Sequence, residues 1–194
     1  AGLGRNITSG YTKDSTTINT ADTSSIAVGS FIAIFEDDDA AEIDHRSQTY
    51  HCDDNGSSTN AHCRMSYHKV TSFVASTSIT FTPPIPFIGA GADPEYRIQT
   101  MGITMAGIED IRLKGNFSTT ECELIFIDFS ADIWVDNVET YGVGAGCSLT
   151  AHIEIEFSTR VEVRDSFLHG TNNTQTGGHN YGVSTLYWGS HFKV

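Results

Sequence analysis

The sequence predicts an all-β protein, a parallel β-helix solenoid accompanied by a small inserted or N-terminal β-rich domain. Three observations predict it. First, Ile125-Phe126-Ile127-Asp128-Phe129-Ser130-Ala131-Asp132-Ile133-Trp134-Val135 lies without a gap over Ile153-Glu154-Ile155-Glu156-Phe157-Ser158-Thr159-Arg160-Val161-Glu162-Val163, an offset of 153 − 125 = 28. Recurrence at such a period is a solenoid signature. Second, each copy holds two runs alternating apolar and polar with period two, joined at a Ser-x or Gly-x corner, which is a strand signal. Third, stacking the copies lays residues of equal register over one another, and most of the outward columns then alternate in sign, as favourable cross-strand pairs require.

From the N-terminus, residues 1–10 are Gly-rich and read as a fragment of a preceding coil. Residues 11–100 lack the 28-residue pattern and read as a small β-rich domain with short strands at 16–19, 31–35, 67–71 and 78–82, the last ended by Pro83-Pro84. A short helix is weakly signalled around Ala40–His45. Within this domain Glu36, Asp37, Asp38 and Asp39 gather four carboxylates after a strand. Calcium takes six to eight oxygen ligands, so Ca²⁺ is the cofactor such a cluster suits; a solvated acidic loop is the alternative, since EF-hand spacing is absent.

His51-Cys52 and His62-Cys63 supply the residue types of a zinc site. Adjacent residues on a strand face opposite ways, so a Cys52–Cys63 disulfide is the simpler reading. Cys122 and Cys147 are 147 − 122 = 25 apart, close to one coil, and also suit a disulfide. Locally paired cysteines fit an oxidising, extracellular or cell- or virion-surface setting. Sequons at Asn6, Asn55, Asn116 and Asn172 are candidate glycosylation sites.

Residues 101–194 carry the coils. A half-copy, Asp110-Ile111-Arg112-Leu113-Lys114, is expected beneath Ile133, and a third copy places Leu186, Trp188, Gly189, Phe192 and Val194 at the registers of Ile127, Phe129, Ser130, Ile133 and Val135. Ile125, Ile127, Phe129, Ile133 and Val135 are expected to face inward. The expected outward columns are Lys114/Asp136/Arg164, Arg112/Trp134/Glu162/Lys193 and Asp110/Asp132/Arg160/His191. The pattern is still in mid-strand at Val194, which reads as a processed or partial chain whose open coil edge another coil or subunit covers, a route to homo-oligomers or end-to-end assembly.

The rhythm Val135-Asp136-Asn137 and Val163-Arg164-Asp165 resembles the pectate-lyase-like right-handed parallel β-helix proteins, over residues 101–194. That group comprises carbohydrate-active enzymes, phage tailspikes and adhesins, so the resemblance implies a right-handed solenoid and an extended polysaccharide or glycan as partner. The turn Gly177-Gly178-His179-Asn180 is similar to the Gly-His-Gly element of β-helix polygalacturonases, but Asn180 replaces the third glycine and the accompanying Asp-Asp pair is missing.

One face is not charge-balanced. Glu154 and Glu156 project outward from one strand, with Asp128 under Glu156, Phe126 under Glu154, and Thr185 and Tyr187 expected above them. Carboxylates at i and i+2 are roughly 6.6–7 Å apart along a strand, near the lower limit for inverting glycosidases. Asp128, Glu154 and Glu156 are therefore the acid/base or Ca²⁺ candidates, and a solvated acidic face is the plain alternative. His169 and His179, in the long Gly-rich turn 168–182, are further acid/base candidates, with Tyr141 in register with His169. Trp134, Tyr181 and Tyr187 are aromatic candidates for a sugar ring. Arg164 or Lys114 beside Asp136 is the lyase-type base, though the charged column explains both without catalysis.

Two functions follow: a secreted or surface protein that binds or processes polysaccharide as a lyase or glycoside hydrolase, or a structural or adhesive β-helix such as a fibre or tailspike shaft. The net charge of −13 argues against nucleic-acid or anionic-membrane partners. No apolar run approaches the roughly 18 residues of a membrane span.

Overall fold

The computed structural model describes residues 4–36, 64–87, 94–115, 123–143, 151–171, 181–186 and 190–194. These residues form strands and no helix, and the chain divides into two compact units, Ala1–Thr100 and Met101–Val194.

In the first unit, β1 (Arg5–Asn6), β2 (Thr17–Asn19), β3 (Phe31–Glu36), β4 (Arg64–Val74), β5 (Ser78–Thr82) and β6 (Glu95–Gln99) make one antiparallel sheet of order β1-β6-β3-β4-β5-β2. β1 pairs with β6, so residues 5–6 belong to this sheet and not to a preceding coil. Every residue of β3 is buried, which explains its unbroken apolar run: a central strand covered on both faces has no polar side to show. β5 alternates as a one-sided strand does, sending Ile79 and Phe81 into a core shared with Ile18, Ile32, Ile34, Val70 and Tyr96. His68 is fully buried there, its ring nitrogens matched by the Ser66 hydroxyl at 2.6 Å and the Pro83 carbonyl at 2.7 Å. It is a satisfied core histidine.

In the second unit, β7 (Ile103–Glu109), β8 (Arg112–Lys114), β9 (Ile125–Asp128), β10 (Ser130–Asp136), β11 (Glu139–Val143), β12 (Ala151–Glu156), β13 (Thr159–Arg164), β14 (Phe167–Thr171) and β15 (Tyr181–Leu186) form three short sheets. Their orders are β13-β10-β7, β14-β11-β8 and β15-β12-β9, and every pairing within them is parallel. Each repeat gives one strand to each sheet in turn. The expected offset is met at Ile125 with Ile153 and at Ile133 with Val161. Ile125, Ile127, Ile133, Val135, Ile153, Ile155, Val161 and Val163 form the core.

Three corrections concern register. The strand beneath β10 is β7, with Ala106 under Ile133 and Ile108 under Val135, a step of 133 − 106 = 27. Arg112–Lys114 lies instead beneath β11, so Arg112 pairs in register with Glu139, and Lys114 with Tyr141. Asp110 leaves the Asp132/Arg160 column and stands beside Asn137, which donates to its Oδ1 at 2.7 Å. The sequence signal was hidden because β7 has a small residue, Gly107, where its neighbour has Trp134: a Cβ at Gly107 would come within 2.1 Å of the indole. In β15, Val183 pairs with Ile153 and Thr185 with Ile155, one residue away from the expected placement, whereas Thr159 with Ser190 and Glu162 with Lys193 follow the expected step of 31. Phe129 does not face inward. It is 36% exposed at a corner of positive φ and stacks flat on Phe157 with ring centroids 4.8 Å apart.

Left-handed backbone recurs in columns, at the corners in Phe129 and Phe157 and in Asp110, Asn137 and Asp165, and near the starts of the strands in Met105, Asp132 and Arg160, with His191 in their register. Asp and Asn tolerate this conformation better than most residues because their short side chains bond locally. That is the physical content of the Asp136-Asn137 and Arg164-Asp165 rhythm. Three predicted columns hold ion pairs: Arg160 reaches Asp132 through Nε at 2.5 Å and Nη2 at 2.7 Å, and Arg164 reaches Asp136 at 2.7 Å. Lys193 bonds Glu162 at 2.7 Å.

Candidate functional site

The acidic face is set by alternation along β12. Ile153 and Ile155 are wholly buried, so Glu154 and Glu156 emerge on the other side of the strand, half-buried. Parallel pairing places Phe126 beside Glu154 and Asp128 beside Glu156, as the offset of 28 requires. Ser184 and Leu186, not Thr185 and Tyr187, are the β15 partners of Glu154 and Glu156. Glu123, just before β9, joins the cluster; it lay outside the repeat and carried no sequence signal.

The electrostatics follow from crowding. Burial, a hydrogen bond with Glu154, and the charges of Glu154, Asp128 and Glu123 push the Glu156 carboxyl up to about 7. Burial raises Asp128 as well, and its Oδ1 is buried without a hydrogen-bond partner. Glu123 is raised by burial and then by the charge of Glu154. A carboxyl that keeps its proton to near neutrality beside a carboxylate two residues away has the chemistry of an acid/base pair. Among the described residues no group of three or more His, Cys, Asp or Glu side chains is arranged to hold a metal ion.

The other candidates are dispersed. His169 is on β14, in a different sheet, where Nε2 meets Glu139 Oε1 at 3.0 Å and the ring packs on Tyr141 at 4.9 Å, the register the sequence predicted. His152, not singled out by the sequence, is buried, bonds Thr140 Oγ1 at 2.8 Å, and is held below the usual histidine range by burial and by His169. Trp134 lies over Gly107 in the β10 sheet and donates its indole N–H to Glu109. Tyr181, 42% exposed, stands in register with Ala151, in the column of the inward residues. Arg164 is engaged by Asp136, and Lys114 is remote in register from that carboxylate, so neither stands as a free base beside it. Glu36 is the buried last residue of β3 and not part of an exposed loop, while Asn6 is exposed on β1. Asp37, Asp38, Asp39, Cys52, Asn55, Cys63, Asn116, Cys122, Cys147, Asn172, His179 and Tyr187 lie outside the described residues, as do Ala40–His45.

No protein-family model matches the chain, and no curated protein does, so the pectate-lyase-like resemblance has no counterpart at family level. Solved structures do match. The tailspike protein gp49 from Pseudomonas phage LKA1 has a TM-score of 0.60 at 13% identity, covering 98% of this chain and 31% of that one. The Pseudomonas phage phi297 tailspike gp61 has 0.60 at 11% identity, covering 94% and 27%. The Gp54 tailspike of Acinetobacter baumannii bacteriophage AP22, solved with A. baumannii capsular saccharide, has 0.58 at 13% identity, covering 94% and 26%. The chain thus spans less than a third of the length of these tailspikes. At such identities the likeness is one of fold.

Proposed function

We propose that this chain is a segment of a tailspike-like surface protein, a right-handed parallel β-helix preceded by a small β-domain, that engages extended polysaccharide at a virion or cell surface. The observation that carries the reading is the fold likeness to tailspikes over 94–98% of the chain, spanning both units. The three parallel sheets visited in turn are what successive coils of a β-helix produce, and right-handed crossovers are the rule for parallel strands. Fold alone does not assign function, and the reading takes its ligand class from the saccharide bound to one of these neighbours.

The test is affinity electrophoresis of the purified chain through gels containing neutral or anionic polysaccharides, with sedimentation to follow end-to-end assembly. Retardation by at least one polymer is expected. Unaltered mobility in every gel would sink the proposal.

A second reading, cleavage of the bound chain, rests on Glu156 and Glu154. Protonated to about pH 7, Glu156 is suited to act as the acid, with Glu154 or Asp128 as the base. Reducing ends or unsaturated products absorbing at 235 nm, lost in Glu156→Gln, are what that reading requires. Binding without product leaves the non-catalytic fibre.

A further inference from the structure

The corners between β7 and β8, β10 and β11, and β13 and β14 stack to leave a groove of about 410 Å³, lined by Asp110, Arg112, Asn137, Glu139, Asp165 and Phe167 among others. It opens onto an aromatic shelf on the outer face of the β11 sheet. Phe167 is 62% exposed, its ring stacked on His169 at 4.2 Å with planes 20° apart, and His169 in turn packs on Tyr141. Gly170, at positive φ, is what lets Tyr141 lie down: a Cβ there would come within 2.6 Å of its ring. We propose that this groove and shelf form a binding site for a neutral, hydroxyl-rich saccharide chain.

The inference rests on the polysaccharide-engaging reading and gives that reading a place and a ligand class. Binding sites are concave, with aromatic walls and a few oriented polar groups. Ring faces offer apolar area to the C–H face of a sugar at little conformational cost. Asp110, Asn137 and Asp165 form a ladder of acceptors at the spacing of stacked strands, suited to hydroxyl donors on successive sugar units. Arg112 is held by Glu139 at 3.3 Å and presents its remaining N–H groups as donors.

Charge selects the ligand class. Three carboxylates and one guanidinium line the groove, in a chain of net charge −13, so a polyanion meets repulsion there. A neutral chain is not excluded by that field, and acidic acceptors are the stronger partners for its hydroxyls.

The whole chain, with Phe167→Ala and Arg112→Gln variants, is run through gels containing galactomannan, dextran, alginate or polygalacturonate. Retardation by a neutral polymer is expected, with apparent affinity falling about tenfold in Phe167→Ala and severalfold in Arg112→Gln. Thr185→Ala, exposed on β15 in another sheet, is expected to retain wild-type retardation. Both affected side chains are exposed, and circular dichroism verifies that the variants fold. Neutral binding unchanged in both variants overturns the placement and leaves the polysaccharide reading standing. Retardation by alginate or polygalacturonate alone overturns the ligand class. Unaltered mobility in all four gels overturns this inference and counts against the reading beneath it.

Discussion

Among the described residues, Glu156 is one at which the fold strongly changes the chemistry of a side chain. In the unfolded chain its carboxyl ionises near its ordinary value of 4.5, and in the folded chain it is pushed up to about 7. Between those values the folded state holds a proton that the unfolded state has released, so linkage makes stability fall as pH rises. The contribution is fully present below about pH 4.5 and is lost by about pH 7. Because the side chain is partly exposed, solvent screening reduces the cost of the ionised form to about 1–2 kcal/mol. Glu156→Gln is expected to flatten the pH dependence of urea unfolding in the second unit between those limits and to raise its stability at pH 8. An unchanged pH slope would show that the carboxyl is solvated like any surface acid. The i, i+2 spacing of Glu154 and Glu156 was legible in the sequence, as was the stacking of Asp128. The addition of Glu123 and the degree of burial were not, because both depend on which side chains the stacking of β9, β12 and β15 brings together.

At the scale of an element, the repeat is held by its corners as much as by its strands. Ser158 sits at the turn between β12 and β13, where its hydroxyl donates to the Glu156 carbonyl at 2.5 Å and accepts from the Ser130 N–H of the repeat below at 3.0 Å. Ser130 repeats the first bond, donating to the Asp128 carbonyl at 2.7 Å. A wholly buried hydroxyl that links two repeats is worth more than a surface one, since its loss strands a buried donor. Ser158→Ala is expected to cost about 1–3 kcal/mol of stability, read from the urea midpoint, with faster hydrogen exchange at the Ser130 amide. No change at that amide would assign the bond to water instead. The two serines were visible as a recurring corner; their bonds across repeats came from the stacking. The left-handed Asp110, Asn137 and Asp165 were likewise visible as a rhythm, but the groove they border needs three corners in register.

For the whole molecule, the two units carry hydrophobic clusters with no residue in common. Large-to-small changes in each are expected to act locally. Ile34→Ala in β3 and Ile153→Ala in β12 remove fully buried side chains, each costing about 2–5 kcal/mol. Sites without shared partners add, so the double variant is expected to lose the sum of the two within about 0.5 kcal/mol. Native-state hydrogen exchange checks this: protection should drop in the antiparallel sheet for the first variant and in the three parallel sheets for the second. A loss of protection spread over both units from one substitution would contradict it.

The sequence by itself determined the all-β composition, the 28-residue repeat, the inward isoleucines and valines, the Asp132–Arg160, Asp136–Arg164 and Glu162–Lys193 columns, and the stacking of Tyr141 with His169. These are properties of period-two alternation and of equal spacing, and both are written in the chain. Only the tertiary structure decided the register of β7, β8 and β15. Alternation repeats every two residues, so a one-residue slip exchanges the two faces while leaving a pattern that reads equally well. At β7 the apolar pattern was also weakened by Gly107, whose small size answers Trp134 one strand away. The same limit hid the aromatic shelf. Phe167 reads as one more apolar strand residue until stacking leaves it outside the core, beside His169 and above the groove.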